Sequence, residues 1–176
     1  MEQGPLTGDA TRDRLSGVVD GRNMNYSTAM VQLPLVRESV GESVRTPDDV
    51  VRICCDLRNL AQEAFQILTL NAKNRLLNRH LVSLGLADSS LVHPRESYRP
   101  ALLDGAAMVV AVHNHPSSDP TPSAEDIRIT RQLIEAGRIL GIPLVDHIIL
   151  GRNPDGTASR YSMRESGVCD FSPAIP

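Results

Sequence analysis

Residues 106–126 read AAMVVAVHNHPSSDPTPSAED. The apolar run Ala106 to Val112 has the length and valine content of a buried strand, and His113 and His115 close it. Residues two apart on a strand share a face, so both imidazoles can point at one ion while Asn114 points the other way. Pro116, Pro120 and Pro122 then exclude regular structure until Ser123. There a helix pattern begins, with Ser123 as N-cap and Asp126 in the first turn. His-x-His alone is a weak signal, and Ser123 to Asp126 alone reads as a helix start. Their conjunction serves no packing purpose and points to a metal.

Two neutral imidazoles and one carboxylate make three ligands, the number a catalytic zinc site keeps when its fourth position is open. A structural site would need a fourth protein ligand. Cys54 and Cys55 are adjacent, Cys169 stands near the end of the chain, and no CxxC spacing occurs.

At 176 residues the chain suits one domain with a real core. A net charge of −3, with 3% aromatics and no Trp, offers neither a broad basic field nor a row of stacking rings for nucleic acid. With three Cys in no pairing pattern, no apolar stretch of membrane length and no signal-peptide pattern, the expectation is a cytoplasmic protein with no membrane partner. Nothing in the sequence sets the oligomeric state.

Outward from the motif, residues 1–45 are mixed in Gly, Asp, Arg, Ser and Asn and are expected to be largely flexible, with order only in Met30 to Val36. The domain proper is expected over 46–165, with 166–176 as a tail. Thr46-Pro47-Asp48-Asp49 predicts a helix start, and Val50, Ile53, Leu57 and Leu60 its buried stripe. Ala64 to Leu70 and Arg75 to Leu84 read as a hairpin turning at Asn71 to Asn74. A short helical segment follows His93-Pro94, limited by Pro100. After the motif, Ile129, Leu133, Ala136 and Leu140 form a helix stripe that Gly141 ends. Pro143 to Gly151 is a strand completing a strand-helix-strand unit with 106–113, and Ala158 to Ser162 a last short strand. The fold class is α/β, a mixed β-sheet packed with helices, and the site falls at a strand's carboxyl end.

The spacing His113-x-His115-Pro116, six residues, Ser123-x-x-Asp126 resembles the signature of the JAMM (MPN+) metalloproteases. RadC-like proteins are the closer resemblance. It rests on His113 to Ser117, Asp119 to Ser123, Asp126-Ile127, Gly141-Ile142 and Asp146 to Ile149, with Lys73-Asn74 and His93 to Glu96 upstream. It covers about residues 46–165. The resemblance implies a single-domain, cytidine deaminase-like JAMM/MPN fold and one Zn²⁺ per chain held by His113, His115 and Asp126. It also implies a glutamate general base, placed at Glu63, and Ser123 steadying a tetrahedral oxyanion. Two departures stand out: Ser118 where such proteins usually have Gly, and Gly85-Leu86 where they usually have Gly-Thr-Leu. The helical domain that precedes this one in full-length RadC proteins is also missing, so the chain resembles the shorter, stand-alone versions.

The implied activity is hydrolysis of a peptide or isopeptide bond in a protein or peptide substrate. The alternative is a DNA-repair or mobile-element accessory factor that binds DNA, for which Arg75, Arg79, Arg95 and Arg99 are the local candidates. Glu96 and Glu125 compete with Glu63 as the base. Glu125 adjoins a ligand on a helix, so its side chain projects roughly 100° away around the axis. A zinc deaminase would need the absent Pro-Cys-x-x-Cys arm. Ligating histidines usually hand their other ring N–H to a neighbouring acceptor. One of Asp146 and His147 is expected there, Asp146 being favoured.

Overall fold

The computed structural model describes residues 41–85 and 92–172. Met30 to Val36, most of the expected flexible segment and Leu86 lie outside them. The elements run α1 (Pro47–Ile53), β1 (Ala64–Leu70), β2 (Leu76–Leu84), α2 (Pro94–Leu103), β3 (Met108–Asn114), α3 (Ala124–Leu140), β4 (Leu144–Arg152) and β5 (Ala158–Ser162). The strands form one mixed sheet in the order β2-β1-β3-β4-β5, in which only β3 and β4 are parallel. Among the described residues, no helix is long and apolar enough to cross a membrane.

Alternation along the three central strands divides the core in two. Phe65, Ile67, Val109, Ala111 and Ile149 face α2 and α3, whereas Ala64, Leu68, Val110, Val112, Ile148 and Leu150 face α1. Central strands buried on both faces read as continuous apolar runs, which is why Met108 to Val112 shows no alternation. Val168, Cys169 and Phe171, in the segment expected as a tail, pack against the α2/α3 side.

Local sequence explains most element ends. Thr46 caps α1 in a reciprocal box with Asp49, and Pro47 stands in the first turn. The helix stops at Ile53 rather than running to Leu60. The Arg79 guanidinium on β2 donates to the Ile53 carbonyl at 2.7 Å, and Leu57 N–H turns to Cys54 O. A single turn of 3₁₀ helix (Leu57–Asn59) follows, so the expected apolar face survives although the helix does not. Pro100 does not limit α2, which runs through it to Leu103. The N–H that proline lacks leaves the Glu96 carbonyl unpaired in the helix, at an exposed residue where water can serve it. On α3 the stripe holds at Ile129 and Leu133, but Leu140 is exposed and Gly137 is buried.

Gly137 is where α2 crosses α3. A Cβ there would stand 2.4 Å from the Tyr98 hydroxyl and 2.6 Å from the Ile142 carbonyl, and the latter is backbone that cannot swing aside. The Tyr98 hydroxyl is itself committed to Leu133 O at 2.9 Å. Gly137→Ala is therefore expected to destabilise the fold by about 2 kcal/mol despite its better helix propensity, measured by denaturant unfolding. An unchanged midpoint would show that this crossing has slack.

Candidate metal centre

His113 is the next-to-last residue of β3, His115 follows the strand's end, and Asp126 opens α3. Because β3 and β4 run parallel, their carboxyl ends and the amino end of the crossover helix meet at one crevice. Ser123 caps α3, accepting from Asp126 N–H at 3.1 Å while its hydroxyl and its own N–H donate to Asp126 Oδ2 at 2.6 and 2.7 Å. The expected cap and the expected ligand are thus the same residue pair.

The three ligand side chains converge. His113 Nε2 lies 3.0 Å from His115 Nε2 and 3.3 Å from Asp126 Oδ1, and His115 Nε2 lies 3.5 Å from Asp126 Oδ2. A tetrahedral ion with bonds near 2.0–2.1 Å sets its ligand atoms roughly 3.3 Å apart. These residues therefore fit an ion, and the buried His113, His115, Asp126 group can bind one.

The hydrogen bonds behind the ligands fix which nitrogens are bare. Thr130 Oγ1 lies 2.6 Å from the Asp126 carbonyl, which can only accept, so the hydroxyl donates to it. That oxygen then accepts from His147 Nδ1 at 2.6 Å, leaving His147 Nε2 to accept from His113 Nδ1 at 2.8 Å. The order runs through to a bare His113 Nε2 at the centre. His115 reaches the same state separately, since its Nδ1 donates to the Asp119 carbonyl at 2.7 Å. Two bare imidazole nitrogens and a carboxylate in van der Waals contact repel one another unless a cation, proton or metal, stands among them.

Electrostatics agrees with this arrangement. Burial holds the His147 pKa well below the usual histidine range, so the relay runs through a neutral ring. Burial opposes charge on Asp126, yet the two imidazoles and the Ser123 hydroxyl outweigh it and keep the carboxyl far below the usual carboxylate range, as for a carboxylate that faces a proton or cation shared with those rings. Burial also opposes charge on His115. There the Asp126 carboxylate and the Asp119 carbonyl prevail, with Glu63 adding in the same sense, and raise its pKa. Phe65 stacks on His113 with centroids 5.8 Å apart and meets His147 edge-on at 5.4 Å, sealing the relay from water.

His147, not the favoured Asp146, is the residue that supports the ligands. The register pairs Ala111 with His147 and Val110 with Asp146, so Asp146 lies on the opposite face of the sheet. It accepts there from Ser162 Oγ, Arg164 N–H and His147 N–H, and burial raises its pKa. Thr130 was not anticipated. Its only trace in the sequence is a polar side chain four residues after a ligand, on the helix face that carries Asp126.

Glu63 immediately precedes β1. The antiparallel register sets Phe65 across from His113, and Glu63 stands two residues before Phe65, at the end of the sheet where His115 follows β3. Glu63 is half-buried, and its charge is felt at His115. Neither rival is so placed. Glu125 is paired with Arg128. Glu96 is exposed and paired with Arg95, and it lines the groove between α2 and α3. Ser118 has φ +71°, in the left-handed region that favours glycine. Its carbonyl and N–H are tied to Arg152 N–H and His115 O, which keeps the loop in register with the ligands.

The four arginines do not form one patch. Arg79 is nearly buried in a clamp with Asp56, Gln66 and Ile53 on the α1 side, and Arg75 turns onto the Gly41 carbonyl. Arg95 and Arg99 lie on the other side of the sheet, along the groove between α2 and α3.

Two imidazoles from a strand end and a carboxylate from the facing helix start, on a mixed five-stranded sheet, define an α/β domain of the JAB/MPN class. Residues 44–168 match the RadC-like JAB domain, and the chain belongs to that family. Curated relatives agree. The chain is 41% identical over 141 residues to a UPF0758 protein of Caldanaerobacter subterraneus subsp. tengcongensis, a match covering 80% of this chain and 58% of the relative. It is 52% identical over 111 residues to a UPF0758 protein of Desulforamulus reducens, covering 62% and 49%. A UPF0758 protein of Listeria monocytogenes is 46% identical over 137 residues, covering 77% and 59%. The chain thus spans about half the length of the relatives it matches.

The relay makes a prediction that separates the two β4 candidates. His147→Ala and Thr130→Val are each expected to weaken metal binding by about 10- to 100-fold. Asp146→Asn, whose amide can keep all three hydrogen bonds, should leave it unchanged. Competition titration with a chromogenic chelator reads all three, and a loss confined to Asp146→Asn would reverse the assignment.

Proposed function

We propose that this domain is a zinc-dependent hydrolase of peptide or isopeptide bonds, binding one Zn²⁺ per chain through His113 Nε2, His115 Nε2 and Asp126. The observation that carries the reading is the convergence of His113 Nε2, His115 Nε2 and the Asp126 carboxylate, with Glu63 half-buried just before β1 and its charge felt at His115. A family that is often hydrolytic supports it. Neutral imidazole and carboxylate ligands suit zinc, and three of them leave a position open.

A zinc ion held by these residues would supply Lewis acidity, lowering the pKa of a bound water toward about 7. Glu63 takes the proton from the attacking water and returns it to the leaving amine. Ser123 is exposed, and its hydroxyl now donates to Asp126 Oδ2. On substrate binding it turns toward the developing oxyanion, while Ser123 N–H continues to hold the carboxylate. His147 and Thr130 keep His113 in the tautomer that presents Nε2.

Elemental analysis of metal-replete protein should find one zinc per chain, and His115→Ala should lose it. In a screen of peptide and ubiquitin-like substrates, Glu63→Gln should lower turnover by about 10²- to 10⁴-fold while keeping the metal. A full zinc equivalent in His115→Ala would sink the ligand set. DNA binding that survives chelation and Glu63→Gln, with cleavage of nothing, would replace the hydrolase with the DNA-binding reading.

A further inference from the structure

Asn114 separates the two histidine ligands in sequence but points to the other face of β3, and it is only 1% exposed. Its side chain spends both halves of its amide on one short piece of backbone. Oδ1 accepts from Ala64 N–H at 2.8 Å, and Nδ2 donates to the Gln62 carbonyl at 3.1 Å, with the Leu60 carbonyl at the limit of reach. The Gln62 carbonyl belongs to the peptide group before Glu63, and Ala64 N–H to the peptide group after it. Both planes that meet at the Glu63 Cα are therefore anchored to one side chain. Fixing both planes fixes φ and ψ of Glu63, and with them the direction of its Cα–Cβ bond. From the far side, Gly85 N–H holds the Glu63 carbonyl at 2.8 Å.

We infer that Asn114 is the positioning residue for Glu63, aiming it at the metal centre from the same three-residue piece of strand that presents both histidines. The inference rests on the proposed role of Glu63 and adds to it the device that sets the distance between base and ligands. The residue type follows from the geometry. The clamp needs one acceptor and one donor at the end of a short, buried side chain: aspartate lacks the donor, alanine lacks both, and glutamine is a methylene too long.

The test uses the full chain loaded with Co²⁺ in place of zinc. Four proteins are compared with wild type: Asn114→Ala, Asn114→Asp, Glu63→Gln and the double variant Glu63→Gln/Asn114→Ala. Three quantities are read: metal equivalents bound, hydrogen exchange of the Ala64 amide, and the pH midpoint of the change in the cobalt visible bands. Asn114→Ala should bind one equivalent, exchange the Ala64 amide about tenfold faster, and move the midpoint in the direction that Glu63→Gln moves it. The double variant should move it no further than Glu63→Gln alone. Asn114→Asp retains the bond to Ala64 and loses the donor to Gln62. It should shift the midpoint by an intermediate amount, and it decides the matter if the alanine variant does not fold. A wild-type midpoint in the Asn114 variants, with Glu63→Gln shifted, overturns the positioning role and leaves Glu63 standing. A wild-type midpoint in Glu63→Gln itself removes Glu63 from the centre, and the inference falls with it.

Discussion

The hydrogen bond from His113 Nδ1 to His147 Nε2 crosses from β3 to β4, and it exists because those strands are parallel and, past a shift between Val109 and Val110, paired in unbroken register. Sliding β4 by one residue would put Asp146 under α3 and His147 under α1. A carboxylate would then sit in the dry layer beneath Phe65. It would take the His113 proton as well as an imidazole does, but would carry a second negative charge to within a few ångströms of Asp126. A neutral imidazole passes the hydrogen-bond order to Thr130 without that charge. The register therefore fixes the net charge of the centre as well as its geometry, and the packing of Val110, Ile148 and Leu150 against the α1 side holds the register.

Asp126 shows how closely folding and function are joined here. Its carboxylate closes the capping box of α3 and also turns toward both imidazoles. Negative charge is favourable at that end of a helix whether or not a cation is present. Burial works against the ion, and the two imidazoles with the Ser123 hydroxyl offset it. Removing the side chain would thus open the capping box and unmake the candidate ligand set together, so a loss at Asp126 mixes the two effects. His115, whose side chain caps no helix and touches backbone at the Asp119 carbonyl, isolates the contribution of a bound ion more cleanly.

Much of this was legible in the sequence, for reasons that lie in local chemistry. The strand Ala64 to Leu70, the caps at Thr46 and Ser123 and the left-handed stop at Gly141 follow from residues within a few positions of one another, and the convergence of His113, His115 and Asp126 from one strand-to-helix connection. What was not legible depends on partners distant in the chain. The end of α1 is set by Arg79, 26 residues away, and the choice between Asp146 and His147 by a strand register. Leu140 continues the apolar spacing of α3, yet lies beyond the point where Gly137 meets α2, so the stripe reads one turn too long. Pro100 misleads in the opposite sense, since an exposed helix can carry a proline at a cost that the packing of Tyr98 and Ala101 offsets.

The centre is also lopsided, and the asymmetry bears on chemistry. His113, His147 and Thr130 are fully enclosed, whereas His115 and Glu63 are half-buried and Ser123 is exposed. The enclosed half has every proton assigned and nothing left to exchange with solvent, which suits it to hold an ion in fixed orientation. The open half carries the groups that would have to move protons or meet a substrate, and it lies along the end of the sheet where β1 begins and β3 finishes. Glu63, the open side of the His113, His115 and Asp126 group and Ser123 are the accessible groups there. The arginines are not gathered there, for Arg79 is consumed inside the α1 clamp and Arg95 and Arg99 line the groove between α2 and α3.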